Sequence, residues 1–344
     1  MELKSAMVIS DNFDTLNDQY YLNGWTDGLP VVPPTVERVH SFLEGNHYEP
    51  DEVIGVEGVF GRAVTAEKLA VNAVMAGCLP AYFPVVVAAA RAMCAEEFLL
   101  QGATSSTGGS APMIIVNGPI AQELGMNGQH NVLGNGNRAN ATIGRAMRFM
   151  LINIIGIKPG STDRATFGHP GKFTLCFAED EDHVEGWPGL AEERGVKPGG
   201  SGVTVMACES PSQLMNEWTE KPEDLLDTYA AVMRSNMLEY SLWAGNYAIL
   251  VSKQHRALLH EAGWTKEMVR QYIYQSARVR RGEWAKAGKS AVVGTDVDRE
   301  YAALDSPDDL LVIGAGGPAG GFGVILAPWF GNKSRAVTTE VERR

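Results

Sequence analysis

The apolar positions of this chain alternate between short β-branched runs and segments with helical spacing, the pattern of strands interleaved with helices. Thr35 is placed to cap a helix through Leu43 that carries Val36, Val39, His40 and Leu43 on one side. Thr65 caps a second helix, whose Leu69, Val71, Val74 and Met75 lead to a break at Gly77, Cys78 and Pro80, and a buried helix follows over residues 82–93. Residues 113–116 read as a buried strand ending in Asn117-Gly-Pro119, with a short helix after it to Leu124. The clearest amphipathic helix covers residues 140–154, with Ile143, Met147, Met150, Leu151 and Ile154 on one stripe and Arg138, Arg145 and Arg148 on the opposite face.

Further strands are predicted at residues 173–177, 203–207, 247–251, 310–313 and 323–326. A helix is expected over 225–237, and a helical pair over 254–262 and 266–279 is broken at Gly263. The segment from Gly24 to Thr35 is turn-rich and extended, because a residue before proline is pushed out of the α region. The pattern predicts an α/β fold, with helices layered on short mixed β-sheets in two lobes. The lobes are drawn at residues 1–194 and 202–344, with a polar, glycine-rich hinge between them. No repeat with a period of about 20 to 50 residues appears. A weak echo links Met113-Ile-Ile-Val-Asn-Gly-Pro119 with Leu311-Val-Ile-Gly-Ala-Gly-Gly-Pro318 and suggests equivalent strand ends.

Composition narrows the function classes. With 344 residues, 45% apolar and 20% charged, the chain has ample material for a core. A formal net charge of −12 opposes attraction to nucleic acid or anionic membrane. Residues 69–90 are free of charge, but Asn72, Gly77, Pro80 and Pro84 interrupt them, so two buried helices are expected rather than a membrane span. The first residues lack the apolar region of a secretory signal, which makes the cytoplasm the expected compartment. The 38 glycines cluster beside predicted strand ends and helix starts, which proposes that several loops face one ligand cleft.

Candidate chemistry falls in four places. The loop Gly134-Asn-Gly-Asn-Arg-Ala-Asn140 feeds a helix, whose unpaired N–H groups, with Asn135, Asn137, Arg138 and Asn140, suit a carboxylate or phosphate; His130 adds an acid/base group. The competing reading is an asparagine-capped helix whose arginines form a solvated face. His169, Lys172, Cys176 and Glu179 gather around a predicted strand end, and Cys176 alternates with Phe177 so that it can face a cleft. The acidic run from Glu179 to His183 matches no calcium loop and reads as a solvated turn. Cys78, before the helix that starts near Pro80, is a thiol whose pKa that helix would lower, or else a packed hydrophobe. His255 stands near a helix start after a strand, and its spacing to His260 does not fit a two-histidine metal site.

The run Gly314-Ala-Gly-Gly-Pro-Ala319 satisfies a dinucleotide-binding pattern, but a strand rather than a helix is predicted next, so NAD is disfavoured and Gly316 and Gly317 are read as a sharp ligand-facing turn. Zinc is disfavoured because Cys78, Cys94, Cys176 and Cys208 form no C-x-x-C pair, and no metal site is assigned.

Four long segments carry a resemblance: Gly24-Trp-Thr-Asp-Gly-Leu-Pro-Val-Val-Pro-Pro-Thr35, Val71-Asn-Ala-Val-Met-Ala-Gly-Cys78, Gly136-Asn-Arg-Ala-Asn-Ala-Thr-Ile-Gly-Arg145 and Gly168-His-Pro-Gly-Lys172. Together with the region from His255 through Trp264 to Tyr272 and with Gly316-Gly-Pro318, they resemble a bacterial family associated with small proteins that carry a selenocysteine- or cysteine-Gly-Ser-Cys motif. Neither Cys78 nor Cys176 is followed by Gly-Ser-Cys, so this chain resembles the larger companion. The resemblance implies thiol- or sulfur-linked chemistry and a small protein partner.

The expectation is therefore an enzyme acting on a small polar or anionic metabolite by lyase, transferase or redox chemistry. The Asn135–Arg138 loop would hold the anion, and His169, Lys172 and Cys78 or Cys176 would stand at the reaction centre, with His255 a further candidate. The rival is a non-catalytic scaffold for a small Cys/Sec-containing partner, and a homo-oligomer is a further option. The cofactor is left unknown.

Overall fold

A computed structural model of the chain describes residues 2–10, 12–181, 185–239, 244–318, 320–329 and 333–344. Asp182 and His183 of the acidic run, and Ala319 of the last glycine cluster, lie outside the described residues.

The first third is helical. Helix α1 (Phe13–Leu22) and α2 (Val36–Glu44) precede a hairpin of β1 (Val53–Val56) and β2 (Ala63–Thr65), and α3 (Ala66–Ala76), α4 (Phe83–Cys94) and α5 (Leu100–Ser105) follow. The caps fall where the polar residues placed them. Thr35 accepts from Arg38 N and Thr65 from Lys68 N, and Gly77 ends α3 in the left-handed region at φ 92°. The charge-free stretch thus becomes two buried helices, and among the described residues no helix is long and apolar enough to cross a membrane.

The remainder builds two four-stranded sheets. Strand β3 (Ala111–Asn117), α6 (Pro119–Glu123), α7 (Arg138–Phe149), β4 (Cys176–Ala178), α8 (Leu190–Glu193) and β5 (Gly202–Cys208) come first. Then come β6 (Ser212–Met215), α9 (Pro222–Glu239), β7 (Tyr247–Val251), α10 (Lys253–Glu261), α11 (Lys266–Ser276), β8 (Arg278–Arg280), α12 (Glu283–Lys286) and β9 (Glu300–Ala302). The last strands are β10 (Leu310–Gly314), β11 (Phe322–Leu326) and β12 (Val337–Glu340). One sheet has the order β12-β5-β3-β4 and the other β10-β7-β11-β6, while β8 and β9 form a separate ribbon.

The strands obey a period of two on both faces, which explains why they read as unbroken apolar runs. In the first sheet Met113, Ile115, Phe177 and Met206 join one core with Ala248, Leu250, Leu311 and Ile313 of the second, so the sheets pack face to face. Ile114, Val116, Cys176, Val203 and Val205 point the other way into a core with α3, α4 and α7. Ile249, Val251, Val312 and Ile325 do the same toward α9, α10 and α11. The chain is thus an α/β protein in four layers, helices outside and two sheets inside.

The sheets repeat one topology. In each, a strand runs through helices to a parallel neighbour, β3 to β4 and β7 to β10, and the chain then returns antiparallel on the other side of the first strand as β5 or β11. The fourth strand is exchanged: β6 leaves the first unit to pair with β11, and β12 leaves the second to pair with β5. The two units meet about a point where Cys208 bridges Pro328, flanked by reciprocal bonds from Glu209 N to Ala327 O at 2.9 Å and from Trp329 N to Ala207 O at 3.1 Å. The same chain separation divides Gly202 from Phe322 and Cys208 from Pro328.

Three expectations shift. The division between residues 194 and 202 does not separate the sheets, because β5 follows it and pairs with β3 before it, and Arg194 bonds Thr338 of β12 at 2.7 Å. The strand expected from 173 starts at Cys176, because Pro170–Lys172 forms a 3-10 turn and the Lys172 carbonyl is taken by Arg148. The echo pairs β3 with β10, whereas the topology pairs β3 with β7.

Candidate functional site

The anion loop is occupied by its own chain. Asn137 caps α7 by accepting from Asn140 N at 3.0 Å and donates to Gly125 O at 2.7 Å. Asn140 accepts from Asn127 N at 3.1 Å and donates to Asn127 O at 2.9 Å, and the exposed Asn135 offers its carbonyl to Asn131 Nδ2 at 2.8 Å. Arg138 points Nε and Nη2 at the Gly77 carbonyl, 3.2 and 3.0 Å away, and so closes the C-terminus of α3. These groups hold loop and helix together, as the capped-helix reading expects.

Arg138 is exposed, but Arg145 and Arg148 are not part of a solvated face. Arg145 grips Asp27 through two bonds of 2.7 and 2.8 Å, and the buried Arg148 faces Asp163, which Lys172 Nζ reaches at 2.8 Å. Arg138 and Arg148 stand ten residues apart on α7, about 15 Å of helix rise, so Arg138 and the Lys172 cluster occupy opposite ends. The composite site of Arg138, His169 and Lys172 does not assemble. His169 accepts from Gly171 N at 3.2 Å, and burial holds its pKa below the usual histidine value.

Cys78 and Cys176 follow the packed-hydrophobe alternative rather than the reactive-thiol one. The helix expected near Pro80 begins there as a 3-10 turn over Pro80–Tyr82 that leads into α4, but burial outweighs any helix-end effect on the thiol. Burial pushes the Cys78 thiol up to about 12, against the smaller opposing effects of Thr142 and Arg138. Cys176 faces α7 rather than a cleft, with its Cβ 3.1 Å from where a Cβ on Gly144 would lie, and burial raises its thiol further. His255 is buried, with Nδ1 2.8 Å from Tyr229 Oη and Nε2 2.9 Å from Asn216 O. It pins α9, α10 and the end of β6, and burial lowers its pKa.

Glu179, expected beside His169, is instead a buried junction. It accepts from Asn117 Nδ2 at 2.6 Å, Leu190 N at 2.6 Å, Lys266 Nζ at 3.1 Å and Gly314 N at 3.2 Å. Asp180 is engaged by Arg256 and Gln129. Among the described residues, no three His, Cys, Asp or Glu side chains gather as metal ligands.

Three of the chosen residues do converge. Gly316 N donates to Gly128 O at 2.9 Å, and a Cβ on Gly317 would lie 2.5 Å from His130 Nδ1, so the imidazole rests on the glycine backbone. Beside them opens a cleft of about 280 Å³, walled by the 129–134 loop, by Gly316, Gly317, Gly320 and Gly323, and by Ser252. It lies where the parallel strands β7 and β10 end, the usual ligand position in α/β sheets. The glycine clusters at 134–136 and 314–323 share this cleft, whereas Gly168 and Gly171 pack against Lys172 and His169 instead.

Ser252 was missed by the sequence reading. It stands at the N-cap of the nine-residue α10 but makes no capping bond, and its buried Oγ has no hydrogen-bond partner among the described residues. Gly316, at φ +105°, lets the backbone approach within 3.6 Å of the Ser252 Cβ, counted from where its own Cβ would be. Among the described residues the side chains lining the cleft carry no charge: its polar surface comes from Gln129, Asn131, Gln213, Ser252 and the backbone. No protein-family model, curated protein or solved structure matches this chain.

Proposed function

We propose that the protein is an enzyme acting on a small oxyanion-bearing metabolite, a carboxylate or phosphate monoester, which it holds in the Ser252 cleft. The observation that carries this reading is the buried Ser252 Oγ without a partner at the uncapped start of α10. A buried hydroxyl without a partner costs about 1–3 kcal/mol, and a ligand oxygen would satisfy it. Ser252 stands at the N-terminus of the nine-residue α10, whose dipole favours an anion, and among the described residues no carboxylate lines the cleft to repel one. His130, packed on Gly317 beside the cleft, is the nearest candidate for proton transfer. Thiolate chemistry at Cys78 fits poorly with a thiol pushed up to about 12.

Titration calorimetry with inorganic phosphate and with a panel of two- to four-carbon carboxylates and phosphate monoesters tests the reading. Removing one charge-assisted bond by Ser252→Ala should weaken binding about tenfold or more. Absence of binding across the panel, or equal affinity in the variant, overturns it.

A second reading, a companion for a small Cys/Sec-Gly-Ser-Cys protein, is favoured by Met7, Ile9, Phe13 and Leu22, which are large, apolar and exposed. Co-purification with a synthetic peptide carrying Cys-Gly-Ser-Cys, abolished by Phe13→Glu with Leu22→Glu, would support it; no retention of the peptide removes it.

A further inference from the structure

The repeated topology implies a counterpart to the Ser252 cleft at the end of β3, and one is present. A hollow of about 270 Å³ opens there, walled by Asn117, Gly118, Glu181, Glu192, Lys197 and Gly200. The chain reaches it as it reaches the first cleft: β3 turns at Asn117-Gly118 into a helix, and a glycine loop at Gly199-Gly200 leads into the antiparallel strand β5. The similarity extends to a buried oxygen. Asn117 is 2% exposed, and its Oδ1 has no hydrogen-bond partner among the described residues. Its amide orientation follows from its neighbours, because Nδ2 donates to two carboxylates, those of Glu179 and Glu181, so the oxygen is left as the open acceptor.

The chemistry is inverted between the two clefts. Around Ser252 the strand end leaves a buried hydroxyl open, whereas around Asn117 the nearby backbone donors are consumed and an acceptor is left open. Gly118 N goes to Glu181 Oε1 at 3.1 Å, Pro119 has no N–H, and Ile120 N goes to Ser201 Oγ at 3.1 Å. Helix α6 has five residues and contributes no lasting dipole. What remains is the Asn117 oxygen, the Glu181 carboxylate on the wall and Glu192 at the mouth, against one lysine.

We propose that the Asn117 cleft is a second binding site, related to the first by the repeated topology, that takes a small organic cation bearing a primary ammonium group. The ammonium supplies three donors and no acceptor, the complement of this lining. The inference stands independently of what occupies the Ser252 cleft.

The test is calorimetric titration of the full chain with n-butylammonium, with n-butanol and butyrate as neutral and anionic controls of similar size. The expected result is binding of the ammonium compound only, weakened about tenfold or more in Glu181→Gln and weakened to a smaller degree in Glu192→Gln, whose side chain is exposed. Ser252→Ala should leave this binding unchanged, which separates failure here from failure of the first site. Thermal melting confirms that each variant is folded. Equal binding of butanol, no binding of n-butylammonium, or an unaltered affinity in a folded Glu181→Gln variant overturns the proposal.

Discussion

Glu179 joins the two sheets, so its removal should be felt by the whole fold. Its carboxylate is 3% exposed and accepts from the Lys266 ammonium, equally buried, and from the backbone amides of Leu190 and Gly314. Leu190 belongs to α8, beside the first sheet, and Gly314 ends β10 of the second. Glu179→Leu strands both amides, each at about 1–3 kcal/mol, and leaves Lys266 with Glu193 at 3.2 Å as its remaining carboxylate. Breaking a buried pair typically costs about 3–5 kcal/mol. Part of this is offset by Glu193 and by the Pro188 carbonyl, 2.7 Å from the ammonium. A net loss of about 5 kcal/mol follows, comparable with the whole stability of an ordinary domain. Glu179→Gln keeps the shape and one acceptor, and should lose about 2 kcal/mol.

Urea unfolding followed by circular dichroism measures both variants, with an unchanged slope as the check that the midpoint reports stability. Adding Lys266→Met to Glu179→Gln should recover part of the loss, with a coupling above about 1 kcal/mol. If Glu179→Leu unfolds within about 1 kcal/mol of the parent, the carboxylate does not hold the sheets together and the reasoning fails.

Three further outcomes are expected. Native Cys78, with its thiol pushed up to about 12, should resist iodoacetamide at pH 8, where about one molecule in ten thousand is thiolate, and react only after denaturation; mass spectrometry of the alkylated peptides would expose fast native labelling. Gly323→Ala should lower stability by about 1–3 kcal/mol, because the added Cβ overlaps the hydroxyl of the fully buried Tyr229, and a melting temperature within a degree of the parent would contradict this. His169 and His255 have folded pKa values below their unfolded ones, so the unfolded chain takes up protons first and stability should fall as pH drops through about 6.5. Melting temperatures between pH 7 and 5 should show that slope, reduced in His255→Gln; a flat profile would count against both burial effects.

Local signals in the sequence carried far. Thr35, Thr65 and Gly77 place helix ends by chemistry that acts within a few residues, and residues 247–251 form the strand their unbroken apolar run predicts. The repeated topology stayed hidden because its units are long, and because each sends its last strand to the other sheet. The resemblance between residues 113–119 and 311–318 reflects a shared need to leave a buried strand through glycine and proline, not equivalent position.

The candidate site divides along the same line. Gly316 and Gly317 form the expected sharp turn between strands, which is a local property, and their backbone passes close to Ser252 and His130. Whether Asn137, Asn140 or Arg138 has a free hydrogen bond depends on Gly125, Asn127 and Gly77, which pattern alone does not bring near. Ser252 shows the converse. A serine between a strand and a helix announces an ordinary cap, and only the folded chain reveals that its hydroxyl makes no capping bond.

The central claim is that the end of β7 receives an anion. A crystal structure determined after soaking with the tightest-binding carboxylate or phosphate tests it most directly. The account predicts ligand density within hydrogen-bond distance of Ser252 Oγ and the first-turn amides of α10, with His130 and Gly317 at its edge. Density confined to the Arg138 loop or to the surroundings of Cys78, with the Ser252 cleft holding only water, would contradict it.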